Sequence, residues 1–110
     1  MEKLVKGIVI VIEFPFSDLK SFKRRPALII KVPKGEDIII CQITAESQSK
    51  SVEIPIRNED FANGGLKRNS FLRLDKVTTI RKSRIKYRLG LLKQSKIDIV
   101  VDKFCSFLRE

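Results

Sequence analysis

Apolar residues come in short runs along this chain, and most of the runs alternate with a period of two. Residues 7–14, Gly-Ile-Val-Ile-Val-Ile-Glu-Phe, are almost continuously β-branched, which predicts a strand covered on both faces. Pro15 to Arg25 breaks the run with Pro, Ser, Asp, Lys and Arg, and reads as a loop made cationic by Lys20, Lys23, Arg24 and Arg25. Pro26 favours extended backbone at Arg25, and Ala27 to Val32 reads as a second strand. Pro33-Lys34-Gly35-Glu36 then supplies a hairpin turn.

Asp37 to Ala45 predicts a third strand, with Ile39, Cys41, Ile43 and Ala45 on one face and Ile38, Ile40, Gln42 and Thr44 on the other. The second face therefore turns from apolar to polar towards its C-terminal end. Ser51 to Ile56 alternates with Val52, Ile54 and Ile56 inward, and Pro55 suits an edge strand. Gly64-Gly65 marks a turn. Ser70 to Leu74 and Lys76 to Ile80 predict short strands on either side of a polar break at Asp75, and Ile85, Tyr87 and Leu89 alternate along a last one. Short strands at this spacing suggest a compact barrel. Ser95, with Asp98 three positions on, predicts the cap of a final helix whose apolar stripe is Ile97, Val100 or Val101, Phe104, Phe107 and Leu108.

Size and charge narrow the function. The 110 residues fit one domain, 1–110, with enough apolar content for a core. Lys and Arg number 23 against 13 Asp and Glu, a net charge of +10 that attracts phosphate polyanions, so nucleic acid is the leading partner. The basic residues are spread through the chain and flank no amphipathic membrane helix, which makes a membrane surface the weaker option. The apolar run Ile8 to Ile12 is too short for a signal peptide or a membrane span, so a cytoplasmic location without membrane contact is expected. Cys41 and Cys105 lack partners at metal-ligand spacing and read as two reduced, mostly buried thiols.

The chain has no histidine, which removes histidine acid/base catalysis, serine triads and most zinc sites. Asp98 and Asp102 sit at helical i,i+4 spacing and read as a solvated face, so neither a metal nor another cofactor is expected. What remains is the cationic segment ending in Arg24-Arg25-Pro26 and a strand ending in Gln42-Ile43-Thr44-Ala45-Glu46. Composition and pattern alone reach a basic, β-rich nucleic-acid-binding domain.

Three segments in order carry a resemblance beyond that. Gly7 to Phe14 with Pro15-Phe16-Ser17-Asp18-Leu19 and Lys23-Arg24-Arg25-Pro26-Ala27-Leu28-Ile29-Ile30, then Gln42-Ile43-Thr44-Ala45, then Leu74-Asp75-Lys76-Val77-Thr78-Thr79-Ile80, resemble MazF/PemK toxins. The resemblance covers nearly the whole chain. It implies a mainly β fold, a small SH3-like barrel of the CcdB/PemK type with a C-terminal helix. It also implies a metal-independent, growth-inhibiting endoribonuclease of a type II toxin–antitoxin system. Such an enzyme cuts single-stranded RNA at short sequences, leaving a 2′,3′-cyclic phosphate and a 5′-hydroxyl. The expected partners are RNA, a cognate antitoxin and a second copy in a homodimer, with DNA contacted only through the antitoxin complex. The family's catalytic arginine falls on Arg25 and its catalytic threonine on Thr44; Phe16, Ser17, Lys23, Arg24, Gln42, Glu46, Lys76 and Thr78 are the expected RNA-binding set. Ile8 stands where the family often has Asp, and Lys76 and Thr78 stand where many members carry Gln and Arg, which bears on sequence preference.

The chemistry fits these residues. Attack by the 2′-hydroxyl requires its proton to be removed, charge at phosphorus to be stabilised and the leaving oxygen to be protonated. A guanidinium serves the second need through paired hydrogen bonds to phosphate, but it is a poor base. Thr44 is expected to donate its hydroxyl to the same phosphate or to orient the 2′-hydroxyl. The homodimer has a separate physical motive: a strand apolar on both faces must cover each with something, either a second copy or the C-terminal helix. A surface of this charge would also hold a partly disordered, acidic inhibitory peptide across the substrate groove. Competing readings are a non-enzymatic CcdB-like toxin that binds DNA gyrase and a nucleic-acid-binding module without catalysis.

Overall fold

The computed structural model of the protein describes residues 3–15 and 22–110, so the expected RNA contacts Phe16 and Ser17 lie outside the described residues. The strands are β1 (Ile8–Pro15), β2 (Phe22–Lys31), β3 (Asp37–Thr44), β4 (Glu53–Ile56), β5 (Phe61–Gly64), β6 (Ser70–Arg81) and β7 (Ile85–Leu92), followed by helix α1 (Gln94–Arg109). They form one sheet in the order β4-β6-β3-β2-β1-β7-β5, with every described pairing antiparallel.

The connection between β6 and β7 dictates the shape. Three residues, Lys82–Arg84, join these strands, yet β3, β2 and β1 lie between them in the sheet. Strands sit about 4.8 Å apart, so a flat sheet would hold β6 and β7 roughly 19 Å from each other, too far for that link. The sheet therefore curls into a half-barrel, and its principal extents of 34 × 32 × 30 Å are nearly equal. Ile80 from β6 and Ile85 from β7 both pack on the concave cluster of Ile8, Ile10, Ile12, Ala27, Ile29, Ile38 and Ile40. The convex face carries Val9, Leu28, Cys41, Ile43, Leu72 and Leu74, covered by Ile97 and Val100 of α1 and by Ile54 and Ile56 of β4.

Glycines permit two close approaches. Gly7, at φ 101°, opens β1 beneath the helix, where a β-carbon would lie 2.3 Å from Ile97 Cδ1. Gly64, at φ 71°, faces Gly90 across the β5–β7 pairing, and a β-carbon there would strike the Leu89 carbonyl.

Several expectations are corrected. Arg24 and Arg25 belong to strand β2, which begins at Phe22; they do not lie in a loop, because β2 pairs with β1 as far as Pro15–Phe22. Asp75 does not end the strand, since β6 runs through it, but the pairing with β3 slips there, between Leu72 and Val77, and the Asp75 carboxylate is held by the Arg73 guanidinium. Val52 falls in a helical turn ahead of β4, although Ile54 and Ile56 point inward and Pro55 does lie in an edge strand. Strand β5 went unread, since Phe-Ala-Asn-Gly offers one buried residue and no alternation. Ile85, Tyr87 and Leu89 do lie on one strand, β7, but irregular pairing with β1 sends Ile85 to the concave cluster and Leu89 to the convex one, and leaves Tyr87 49% exposed. Lys93, not Ser95, caps α1, and Asp98 instead accepts a 2.9 Å bond from the Gln94 amide. Leu108 is exposed, while Val100 rather than Val101 is buried. Cys41 is buried as expected, but Cys105 is exposed.

Both faces of β1 are covered within the chain itself, Ile8 through Ile12 being at most 6% exposed. The physical motive for a homodimer drawn from this strand is thereby removed. No helix among the described residues is long and apolar enough to cross a membrane.

Candidate nucleic-acid interface

At one end of the sheet the polar ends of β2 and β3 come level. The β2–β3 ladder pairs Ile29 with Ile40, Leu28 with Cys41 and Ala27 with Gln42, and then stops. Arg25 and Thr44, each two residues beyond the Ala27–Gln42 pair, both line the space that opens where the ladder stops. Their outer neighbours are Ile12, opposite Arg25 in β1, and Phe71, opposite Thr44 in β6.

Pro26 explains why the ladder ends there. Pairing to β1 continues through Pro26, Arg25 and Arg24, while pairing to β3 does not pass Ala27. Proline has no N–H to donate, so it is tolerated in this central strand only where one neighbour is released. The release opens a groove of about 370 Å³ lined by Lys23, Arg24, Arg25, Pro26, Ile43, Thr44 and Ala45 on one side and by Leu66, Lys67, Arg68, Tyr87 and Leu89 on the other.

Its charge is one-sided. Lys23, Arg24, Arg25, Lys67 and Arg68 supply five cations, and no carboxylate is among the lining residues. A second concavity, between β1, β3, β6 and the Lys82–Arg84 turn, differs: it carries Gln42, Thr78, Arg81 and Arg84 but also Glu13 and Asp37. There the Lys86 ammonium, 2.7 Å from Glu13, holds that carboxyl below its ordinary range.

The loop leaving β3 is closely tied. The Thr44 hydroxyl makes two 3.4 Å contacts, one to the Glu46 carbonyl and one from the Glu46 N–H. The Glu53 carboxylate accepts from the Ser47 hydroxyl at 2.7 Å and from the backbone N–H groups of Gln48 at 2.7 Å and Ser49 at 3.1 Å. These bonds, the Gln48 N–H first, lower its pKa. Arg73, only 11% exposed, grips Asp75 with two hydrogen bonds of 2.9 and 2.7 Å and gives a third, of 2.7 Å, to the Gln48 side-chain oxygen. Asp75 is accordingly held below its usual range and Arg73 raised. Burial pushes the Cys41 thiol up to about 12, with help from Asp75, which leaves it an inert packing residue.

With this geometry in view, a family model for PemK-like, MazF-like toxins of type II toxin–antitoxin systems matches residues 6–108. The chain belongs to that family. Solved structures agree on the fold. An endoribonuclease from a mycobacterial species, in complex with its cognate antitoxin, superposes with a TM-score of 0.73 at 14% identity, over 96% of this chain and 95% of its own. The Mycobacterium tuberculosis toxin MazF-mt6 gives 0.65 at 19% identity, over 86% and 91%. A MazE-MazF structure from Deinococcus radiodurans gives 0.69 at 18% identity, over 94% of each chain. Among curated protein sequences none matches this chain.

Within the PemK/MazF fold the expected site residues separate into groups. Arg25 and Thr44 share the basic groove with Lys23 and Arg24. Gln42 and Thr78 line the second concavity instead. Glu46 stands exposed on the loop beside Thr44, and Lys76 is exposed on β6 and lines neither space. Lys67, Arg68 and Tyr87 are groove residues that the sequence reading missed. The pair Lys67-Arg68 just after Gly64-Gly65 was a readable signal of a cationic turn. Tyr87 was read only as one of the alternating residues of the last strand.

Among the described residues, no three His, Cys, Asp or Glu side chains converge in a way that could hold a metal ion.

Proposed function

We propose that this chain is an endoribonuclease toxin that cuts single-stranded RNA in the basic groove, at short sequences and without metal, leaving 2′,3′-cyclic phosphate and 5′-hydroxyl ends. The observation that carries the reading is the groove's composition: five cations, no carboxylate, and both Arg25 and Thr44 in its lining where the β2–β3 ladder opens. Such a trough follows a phosphate backbone, and Tyr87, half exposed on its wall, offers a face on which a base can stack.

Arg25 is assigned to the scissile phosphate. It is half-buried and fixed in register between β1 and Pro26, so its planar fork is pre-oriented for two phosphate oxygens as negative charge builds on them. Thr44 donates its hydroxyl to the same group or orients the 2′-hydroxyl; its long contacts to Glu46 are weak enough to exchange for a substrate oxygen. Lys23, Arg24, Lys67 and Arg68 bind the flanking phosphates and release counterions.

The cognate antitoxin is read as an acidic, partly disordered chain laid across this groove, a reading supported by the family and by the similar endoribonuclease that carries its antitoxin. A single domain spanning 1–110, a homodimer, a cytoplasmic setting and DNA contact through the antitoxin complex belong to the same proposal. Digestion of a mixed RNA pool in EDTA, with sequencing and chemical typing of the ends, tests it. Cleavage with cyclic phosphate ends is expected; activity that appears only with added magnesium would overturn the metal-independent chemistry, and RNA bound but left intact would overturn the enzyme.

A further inference from the structure

Loops at the rim of a binding groove are ordinarily the mobile part of a site. The loop after Thr44 is the opposite. Three consecutive residues, Ser47, Gln48 and Ser49, donate to one carboxylate, that of Glu53 at the start of β4. Gln48 is held a second time, from the other side, by Arg73, whose guanidinium is itself locked by Asp75. Glu53 and Arg73 are direct partners in the β4–β6 pairing, so the two clamps rest on one rigid step of the sheet edge.

This is more anchoring than a surface turn needs. Glu53 and Arg73 touch neither the groove nor each other's hydrogen-bond partners by accident of packing: both converge on Gln48, four residues after Thr44. Between those points lie Ala45, which lines the groove, and Glu46, whose backbone meets the Thr44 hydroxyl from both its N–H and its carbonyl. Where the loop is pinned therefore bears on how Ala45 and the Glu46 backbone sit beside that hydroxyl.

We infer that Glu53, acting with Arg73 through Gln48, is a positioning residue of the ribonuclease site: it fixes the loop so that Thr44 is aimed at the phosphate and Glu46 at a neighbouring nucleotide, and so contributes to which sequences are cut. The inference rests on the ribonuclease reading above. The two backbone N–H groups share one carboxylate oxygen and the Ser47 hydroxyl takes the other, so glutamine at position 53 would keep the geometry, its oxygen accepting from Gln48 and Ser49 and its amide donating to the Ser47 hydroxyl; alanine removes every acceptor and opens the clamp.

The test uses the whole chain as wild type, Glu53→Ala and Gln48→Ala, with four readouts. Displacement of a reacting group by a fraction of an ångström to one ångström predicts a fall in kcat/KM of about ten- to a hundredfold, carried mainly by kcat. The sequenced RNA ends should show a broadened motif, the amide protons of Gln48 and Ser49 should exchange faster in Glu53→Ala, and the melting midpoint should stay close to wild type. Unchanged rate and motif in both variants would overturn the inference, as would a rate loss that merely follows a drop in melting midpoint while the motif stays intact. If wild type itself cuts no RNA, the ribonuclease reading fails and this role falls with it; slow amide exchange in that protein would then mark Glu53 as a clamp of the fold alone.

Discussion

Along the sheet, the same three strands make a core at one end and a site at the other. The row formed by Ile8, Ile29 and Ile40 is buried on every side. One step along the face the row is Ile10, Ala27 and Gln42; one step further Ile12 pairs with Arg25, and Thr44 follows on β3 where the β2–β3 ladder has ended. β1 stays apolar throughout, β2 passes from Ile through Ala to Arg, and β3 passes from Ile through Gln to Thr. The apolar end supplies rigidity without chemistry. The polar end inherits that rigidity, because Arg25 and Thr44 ride on strands whose other halves cannot move. If this division is right, substitutions at the two ends should fail in different ways.

The largest effect is expected at the polar end. Arg25→Lys keeps the charge but loses the planar fork, and removing one well-placed donor to a developing anion costs about 3–4 kcal/mol, or on the order of a hundred- to a thousandfold in rate. RNA binding should weaken little and the circular dichroism should be unchanged. Arg24→Lys, one residue along and exposed, should slow cleavage far less. Comparable rates for wild type and Arg25→Lys, both folded, would place the reacting phosphate elsewhere in the groove.

These rows also show what was legible in the sequence. The loss of apolar character along Ile38, Ile40, Gln42 and Thr44 could be read directly, because a strand's period of two survives any tertiary arrangement. Arg25 could be singled out through Pro26 and the family resemblance, but its strand could not, since Lys23-Arg24-Arg25 resembles a loop until β1 is seen to pair with it. Lys67, Arg68 and Tyr87 reach the groove only because the sheet curls, and curling depends on which strands neighbour each other, a long-range fact that no local pattern carries. The clamp on Gln48 was invisible for the same reason: Arg73 lies 25 residues away from it in sequence.

At the apolar end the expected failure is one of stability. Ile40 is fully buried between Ile29 and Thr78 in neighbouring strands. Ile40→Ala should cost about 2–5 kcal/mol, the range for a large aliphatic cut to alanine in a packed core. Denaturant unfolding would measure it. Cleavage per folded molecule should change much less than in Arg25→Lys, even though Ile40 lies only two residues before Gln42. A rate loss as large as that of Arg25→Lys, in protein that remains folded, would mean that the core row also sets the aim of the site row, and the division between the ends would have to be abandoned.

The smallest effect is expected away from both rows, at the start of α1. Lys93 occupies the cap position with extended backbone, φ −62° and ψ 147°, and has no side-chain cap bond to offer. Its own N–H donates to the Asp60 carbonyl at 2.8 Å, and its carbonyl accepts from Lys96 and Ile97, so the backbone there is held independently of the side chain. Lys93→Ser supplies a hydroxyl that can accept from a first-turn N–H, and it removes a positive charge from the positive end of the helix dipole. The expected gain is about 1 kcal/mol, seen as a rise in melting midpoint of roughly 4–8 °C. Because α1 covers the convex face beside Val9 and Leu28, while the groove opens where Pro26 releases β3, tightening the helix should leave both rate and cleavage motif where they were. A stabilised variant that cuts more slowly would show that some looseness of the helix reaches the groove through Leu28 and its neighbours, and that the two ends of the sheet are coupled after all.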